Sequence, residues 1–366
     1  MKKIPVNILR AGLVFTEPVF IDDDNLLVPA GVAIREKDIK QLAEWDITEV
    51  FTNGRASVTM PQRAAPEGPP PAAGRGESYR GYLDLIRRMD SVFADIGAGQ
   101  KVDIHSVDSI AADLFQGVLA ERDIMMGYIL GGDVKDLDTA KNSVNTAILS
   151  ALIAGELKFT HYRILQIVTG ALLHDAGMLK IPREIVAKRG GLSAEDLKAM
   201  HDHPLHSYQI AVKELGYPGE VGDIVWQHHE NWDGQGYPRH LSGANIDTGA
   251  RIVSVADAFE AMVSQKPYRN PLVGNQAIKN LLSDNSSRFD PEILKIFIRV
   301  MGIYPIGSAV LLNNGIKGLV IEARPDSPLR PKIRGETGQI IDLLTEKGLF
   351  ITKALDPKEI ALPKKS

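Results

Sequence analysis

The chain contains no cysteine. Disulfides, thiolate zinc sites and cysteine nucleophiles are thereby excluded, and any metal would need nitrogen and oxygen donors, which suits iron, manganese, zinc or magnesium. No apolar run approaches the roughly 20 residues of a membrane span. Net charge is only −4 over 366 residues, so no basic field attracts a nucleic-acid polymer or an anionic membrane. The opening MKKIPVNILRAGLVF has two lysines, but Arg10 interrupts its apolar run and no small-residue cleavage site follows. No signal peptide is predicted, and the expected location is cytoplasmic. A composition of 44% hydrophobic and 24% charged residues is that of an ordinary globular protein, with length for two or three domains.

Bulky apolar side chains are nearly missing from residues 55–78, RASVTMPQRAAPEGPPPAAGRGES, which cannot bury a core and read as a Pro/Ala/Gly-rich linker. Before it, residues 1–54 read as a small α+β unit. Short alternating segments at Val14-Phe15, Leu26–Val28 and Glu49–Phe51 flank a helix predicted from Glu36 to Glu44. Asp22-Asp23-Asp24-Asn25 reads as a hairpin turn, since it lacks the alternating oxygen ligands and glycine of a calcium loop. After the linker, residues 79–301 are helical in pattern. Tyr82-Leu83, Ile86, Met89 and Val92-Phe93 recur at three- and four-residue spacing, as do segments at Ile110–Gly117, Thr139–Gly155 and Tyr162–Leu173. Asp138 suits a helix start, and Ser193 with Asp196 forms a capping signal. Residues 302–366 change period. Ser308–Leu312 and Gly318–Glu322 around Asn313-Asn-Gly315 predict one β-hairpin, and Ile340–Leu344 with Leu349–Thr352 around Lys347-Gly348 a second. The expected class is mainly α, with a C-terminal β appendage.

Six of the nine histidines fall between positions 174 and 229, close to Asp175, Asp233 and Asp257. Taken singly, each residue has an ordinary structural explanation. An HD dipeptide is common, His228-His229 could be a surface pair, Trp232 and Tyr237 could be core aromatics, and His201 and His206 read as polar helix-surface residues. Joint presence in one helical domain points instead to a metal site. His174 and Asp175 are adjacent and can converge at a helix end, with the second carboxylate oxygen free to bridge. His203, His228 and His229 add imidazoles, and Asp257 lies in the apolar stretch Ile252-Val-Ser-Val-Ala-Asp257, where a buried carboxylate is costly unless paired or metal-bound. Two cations there would polarise a phosphoryl group and ionise water near neutral pH.

The runs HDAGMLKIP, HP at 203–204, HHENWDGQGYP, ARIVSVADAFEAMVS and KPYR, in that order, resemble the HD-GYP family of the HD phosphohydrolase superfamily, over roughly residues 135–302. The ends of the chain also resemble segments found beside such domains. The resemblance implies an all-α HD-type domain that hydrolyses the bacterial second messenger cyclic-di-GMP to pGpG or GMP, using two or three divalent metals, iron or manganese. By position it implies His174, Asp175, His203, His228, His229 and Asp257 as metal ligands, with Asp175 also catalytic as the bridge. Lys266 and Arg269 would hold substrate phosphate, and Gly236 and Tyr237 would shape the mouth. Two departures stand out. The position of a family metal histidine, about 32 residues before His174, is Asn142, with Asp138 one turn earlier on the same face as a partial replacement. Met178 stands where HDxGK places a lysine, leaving Lys180 as the candidate catalytic cation. The implied partners are cyclic-di-GMP, a diguanylate cyclase of the GGDEF type and a second copy of the chain. A degenerate domain that binds nucleotide or protein without turnover is the alternative these departures raise.

Overall fold

In the computed structural model the chain divides into two units, Met1–Gly76 and Glu77–Ser366. Described are residues 2–10, 13–21, 26–28, 34, 39, 42, 47–58, 76–131, 138–186, 188, 191, 193–264, 274–283 and 287–355.

The first unit holds strands β1 (Lys2–Pro5), β2 (Leu13–Phe15), β3 (Val19–Phe20), β4 (Leu26–Val28), β5 (Glu49–Thr52) and β6 (Ala56–Val58). One antiparallel sheet runs β1-β5-β3-β4, and β2 pairs with β6. Their inward residues Phe15, Val19, Val28 and Val50 bury a small core with Ile34 and Leu42. Ile39 and Leu42 are helical; the rest of the predicted helix, the Asp22–Asn25 turn and linker residues 59–75 lie outside the described residues. Ala56–Val58, read in the sequence as the beginning of the linker, is the strand that covers β2.

The second unit is mainly α. Its helices are α1 (Gly76–Gly97), α2 (Ile104–Ala120), α3 (Arg122–Gly131), α4 (Asp138–Glu156), α5 (His161–Leu173), α6 (Arg183–Val186), α7 (Ala194–His201), α8 (His203–Tyr208), α9 (Gly219–Gln227), α10 (Thr248–Val263), α11 (Gly274–Ser283) and α12 (Pro291–Met301). Local sequence explains their starts. Thr160, Asp247 and Asp290 accept backbone N–H bonds at the N-termini of α5, α10 and α12. Ser193 and Asp196 form the reciprocal capping box expected at α7. One apolar core joins α1–α5 to α9–α12, centred on side chains such as Tyr82, Tyr128, Phe259 and Phe297. Close approach is built in at Gly170, where a Cβ would lie 2.5 Å from Ile224, so α9 packs directly on the backbone of α5.

The chain then forms a five-stranded antiparallel sheet from β7 (Ala309–Leu312), β8 (Lys317–Glu322), β9 (Lys332–Gly335), β10 (Ile340–Asp342) and β11 (Ile351–Leu355), in the order β10-β9-β8-β7-β11. The first predicted hairpin is β7–β8. The second is corrected: β10 pairs with β9 and β11 with β7, on opposite edges of the sheet. Asp342 gathers the following turn by accepting from the Leu344 and Glu346 amides, and Asn313 binds Phe350 through both backbone and side chain, which directs the last strand to β7.

Candidate metal centre

Two crossing helices end at the same place. α5 ends at His174 and α9 at His228, and their rings meet edge to face with centroids 5.0 Å apart. A helix leaves its last carbonyls without intrahelical partners, and here histidine takes them. His174 Nδ1 lies 2.7 Å from Ala171 O, His228 Nδ1 2.8 Å from Val225 O, and His203 Nδ1 2.7 Å from Met200 O in the last turn of α7. A carbonyl only accepts, so each Nδ1 carries a proton and each ring turns its Nε2 inward. His203 Nε2 and His228 Nε2 face each other at 3.3 Å. A proton shared between them would create a buried imidazolium, and burial holds both histidines below their ordinary pKa.

Asp175 follows His174 at the start of a 3-10 turn (Ala176–Lys180). Its carboxylate lies 3.3 Å from His203 Nε2, 3.5 Å from His174 Nε2 and 4.0 Å from His228 Nε2, so it spans both sides of the cluster. Asp257, from the interior of α10, stands 3.6 Å from His174 Nε2. Among the described residues that buried nitrogen has no hydrogen-bond partner. Burial opposes protonation of His174, but the charges of Asp175 and Asp257 outweigh it and push the ring up to about 9. Asp257 is held below the usual carboxylate range by His174 against the effect of its own burial. His229 is pushed down to about 3 by burial and by neighbouring His203.

The donor set suits a divalent cation. One ligand atom each from Asp175, His203, His228 and His229 falls within 4.8 Å of the others. Bonds of about 2.1 Å put opposite donors about 4.2 Å apart, so a small contraction brings these onto one ion. Ser207 steadies the entrance to this turn, donating to His174 O at 2.5 Å and accepting from Gly177 N at 2.8 Å. A Cβ on Gly177 would sit 2.0 Å from His203 O, so glycine there lets α8 bring His203 against the HD turn.

Residues 134–293 match the HD domain family model, enclosing all six of these side chains, and residues 309–362 match a KOW domain associated with HD domain. Over the first of these stretches the chain is similar to HD domains. It is 27% identical over 353 residues to a cyclic di-GMP phosphodiesterase of Pseudomonas aeruginosa, covering 91% of this chain and 84% of that one. A cyclic di-GMP phosphodiesterase of Borreliella burgdorferi is 30% identical over 203 residues, 55% of this chain; the match spans about half of that relative's length, 53%. In fold it is similar to the solved HDG"Y"P protein from Bdellovibrio bacteriovorus, with a TM-score of 0.51 and 17% identity, covering 81% of this chain and 97% of that one.

The Gly236-Tyr237-Pro238 loop closes over His229. Tyr237 packs against its ring at 4.8 Å between centroids, and His201, which the sequence places on a helix surface, stacks on Tyr237 at 3.9 Å. Gly236 is obligatory in this path, because a Cβ would lie 2.2 Å from Asn231 N and 2.5 Å from His229 O. Glu230 was not singled out by sequence reasoning, yet its buried carboxylate accepts from Arg239 N at 2.7 Å and Leu241 N at 3.0 Å and ties the loop shut. Its signal was its place directly after the histidine pair, in a segment otherwise read for ligands. Asn142 lies half-buried on α4, between buried Lys141 and Ser143. Lys180 ends the 3-10 turn exposed, and no hydrogen bond or ion pair joins it to the cluster among the described residues. Lys266, Arg269 and the side chain of Asp138 lie outside the described residues. Among the described residues no helix is long and apolar enough to cross a membrane.

Proposed function

We propose that this chain is a metal-dependent phosphodiesterase of cyclic dinucleotides, and that its substrate is cyclic-di-GMP, opened to pGpG or GMP. The observation that carries the reading is the facing pair of Nε2 lone pairs on His203 and His228, bracketed by Asp175, which calls for a cation between them. The activity named for the Pseudomonas and Borreliella relatives supports the substrate class. His203, His228 and His229 with Asp175 would hold one divalent ion, His174 and Asp257 with the other oxygen of Asp175 a second, and iron or manganese suits this nitrogen and oxygen set. Bound there, the ions would polarise the phosphoryl group and lower the pKa of water. The protein's own part is orientation and exclusion. The carbonyl bonds of Ala171, Met200 and Val225 fix the ring tautomers, and Tyr237 with its glycine loop keeps one side of the cluster dry. Lys266 and Arg269 would hold phosphate, and work alongside a GGDEF-type cyclase fits an enzyme that removes its product.

The test is Asp175→Ala, assayed for metal per chain and for cyclic-di-GMP hydrolysis. Both should be lost, and unchanged turnover contradicts the assignment. Asn142 and Met178 favour a second reading, a nucleotide-binding module with little turnover; it predicts nucleotide bound and recovered intact from metal-loaded protein.

A further inference from the structure

Three residues past His229, the loop is laced to a segment distant in sequence. Trp232 N donates to Arg288 O and Asp233 N to Ser287 O, each at 2.8 Å. These two bonds seat Arg288 beside the loop that covers the metal cluster, whatever its side chain does. The guanidinium rests over the ring of Phe289, with Cζ 4.9 Å from the centroid, and Phe289 is itself buried, so the cation has a fixed platform.

Two other arginines of this domain are committed. Arg163 forks onto Asp247 with two 2.7 Å bonds, and Arg251 binds Asp290 at 2.6 Å. Asp290, the carboxylate nearest to Arg288 in sequence, also caps α12. Arg288 makes no side-chain hydrogen bond or ion pair among the described residues, so none of its five N–H donors is taken up by one of them. On the HD turn the chain offers Met178 and no charge at that position, while Lys180 is exposed.

We propose that Arg288 is a substrate-contacting residue that grips a phosphate of the cyclic dinucleotide at the rim of the metal cluster. This rests on the phosphodiesterase reading above. A planar guanidinium matches two phosphate oxygens at once, and such charge-assisted pairs are the stronger kind of hydrogen bond. Stacking on Phe289 orients the fork before the ligand arrives.

The experiment compares full-length wild type, Arg288→Ala and Arg288→Lys for metal per chain, thermal midpoint, and kcat and KM with cyclic-di-GMP. Metal content and midpoint should stay at wild-type values, since the bonds to Trp232 and Asp233 are made by backbone. Arg288→Ala should lower kcat/KM by about 10- to 100-fold, mostly through KM. Arg288→Lys should recover part of that loss, because it keeps the charge but not the fork. Wild-type kcat/KM in Arg288→Ala with metal intact overturns the assignment and leaves the enzyme reading standing, as does loss of metal in both variants, which makes Arg288 structural. Metal-loaded wild type that neither binds nor cleaves a cyclic dinucleotide removes the enzyme reading and this contact with it.

Discussion

His203 Nε2 and His228 Nε2 face each other at 3.3 Å while the second nitrogen of each ring is bonded to the backbone. Two lone pairs held that close repel unless a cation lies between them. The candidate metal centre is thus written into the way three helices end, with each terminal carbonyl setting the tautomer of a histidine. The same arrangement makes the protein without metal sensitive to pH.

Burial holds His203, His228 and His229 below their ordinary value, the last at about 3, whereas His174 is raised to about 9 by its carboxylates despite burial. Depressed histidines contribute stability that is present above about 6.5 and lost as pH falls, because the unfolded chain then binds more protons. The raised His174 contributes stability that is present below about 6.5 and lost as pH rises through about 9. Metal-free protein should therefore be more stable in denaturant at pH 7.5 than at 5.5 or 9.5, with the larger fall on the acid side. A midpoint independent of pH across that range contradicts this account.

Gly236→Ala should separate loop closure from metal binding. The added Cβ would overlap Asn231 N at 2.2 Å, so the loop cannot lie over His229, while none of the six proposed ligand side chains is altered. Turnover should drop at least about tenfold, an effect of the size expected when reacting groups are misplaced, with metal content retained. Inductively coupled plasma analysis beside steady-state kinetics reads both.

A buried polar chain offers a stability test away from the site. Tyr82 Oη donates to Asn145 Oδ1 at 2.8 Å, and Asn145 Nδ2 donates to Glu260 Oε1 at 3.1 Å, joining α1, α4 and α10 inside the core. Tyr82→Phe removes one donor and leaves a buried acceptor, which costs about 1–3 kcal/mol. Denaturant unfolding should show that loss with little change in metal content.

Much of this was legible in the sequence because its signals are local. Helical spacing, the Ser193 capping box and the Asn313-Asn-Gly315 turn depend on neighbours within a few residues, and the ligands stand out as a rare residue type concentrated in one domain. Non-local pairing was not legible. Lys347-Gly348 looks like a hairpin turn, yet β11 crosses the sheet to β7, and Lys332–Gly335 between prolines and glycines carries little strand signal of its own. Glu230 and Ser207 read as ordinary polar residues until folding places backbone N–H groups around them. Arg288 lies 59 positions from His229 in the chain, and only the two backbone bonds to the loop reveal its place.

Asn142→His should add an imidazole where the family resemblance places one. The expected result is tighter retention of the second metal during dialysis against chelator, with an increase in turnover; unchanged retention means that α4 does not reach the centre at that position.

The most direct test of the central claim uses protein purified without oxygen. Its metal content is measured, and cyclic-di-GMP hydrolysis is then followed with added iron(II) or manganese(II). Two or more metals per chain, with pGpG or GMP formed, is the result predicted by the facing histidines and by Asp175 as the proposed bridge. A chain that takes up no metal, or that carries metal and returns the dinucleotide intact, contradicts it.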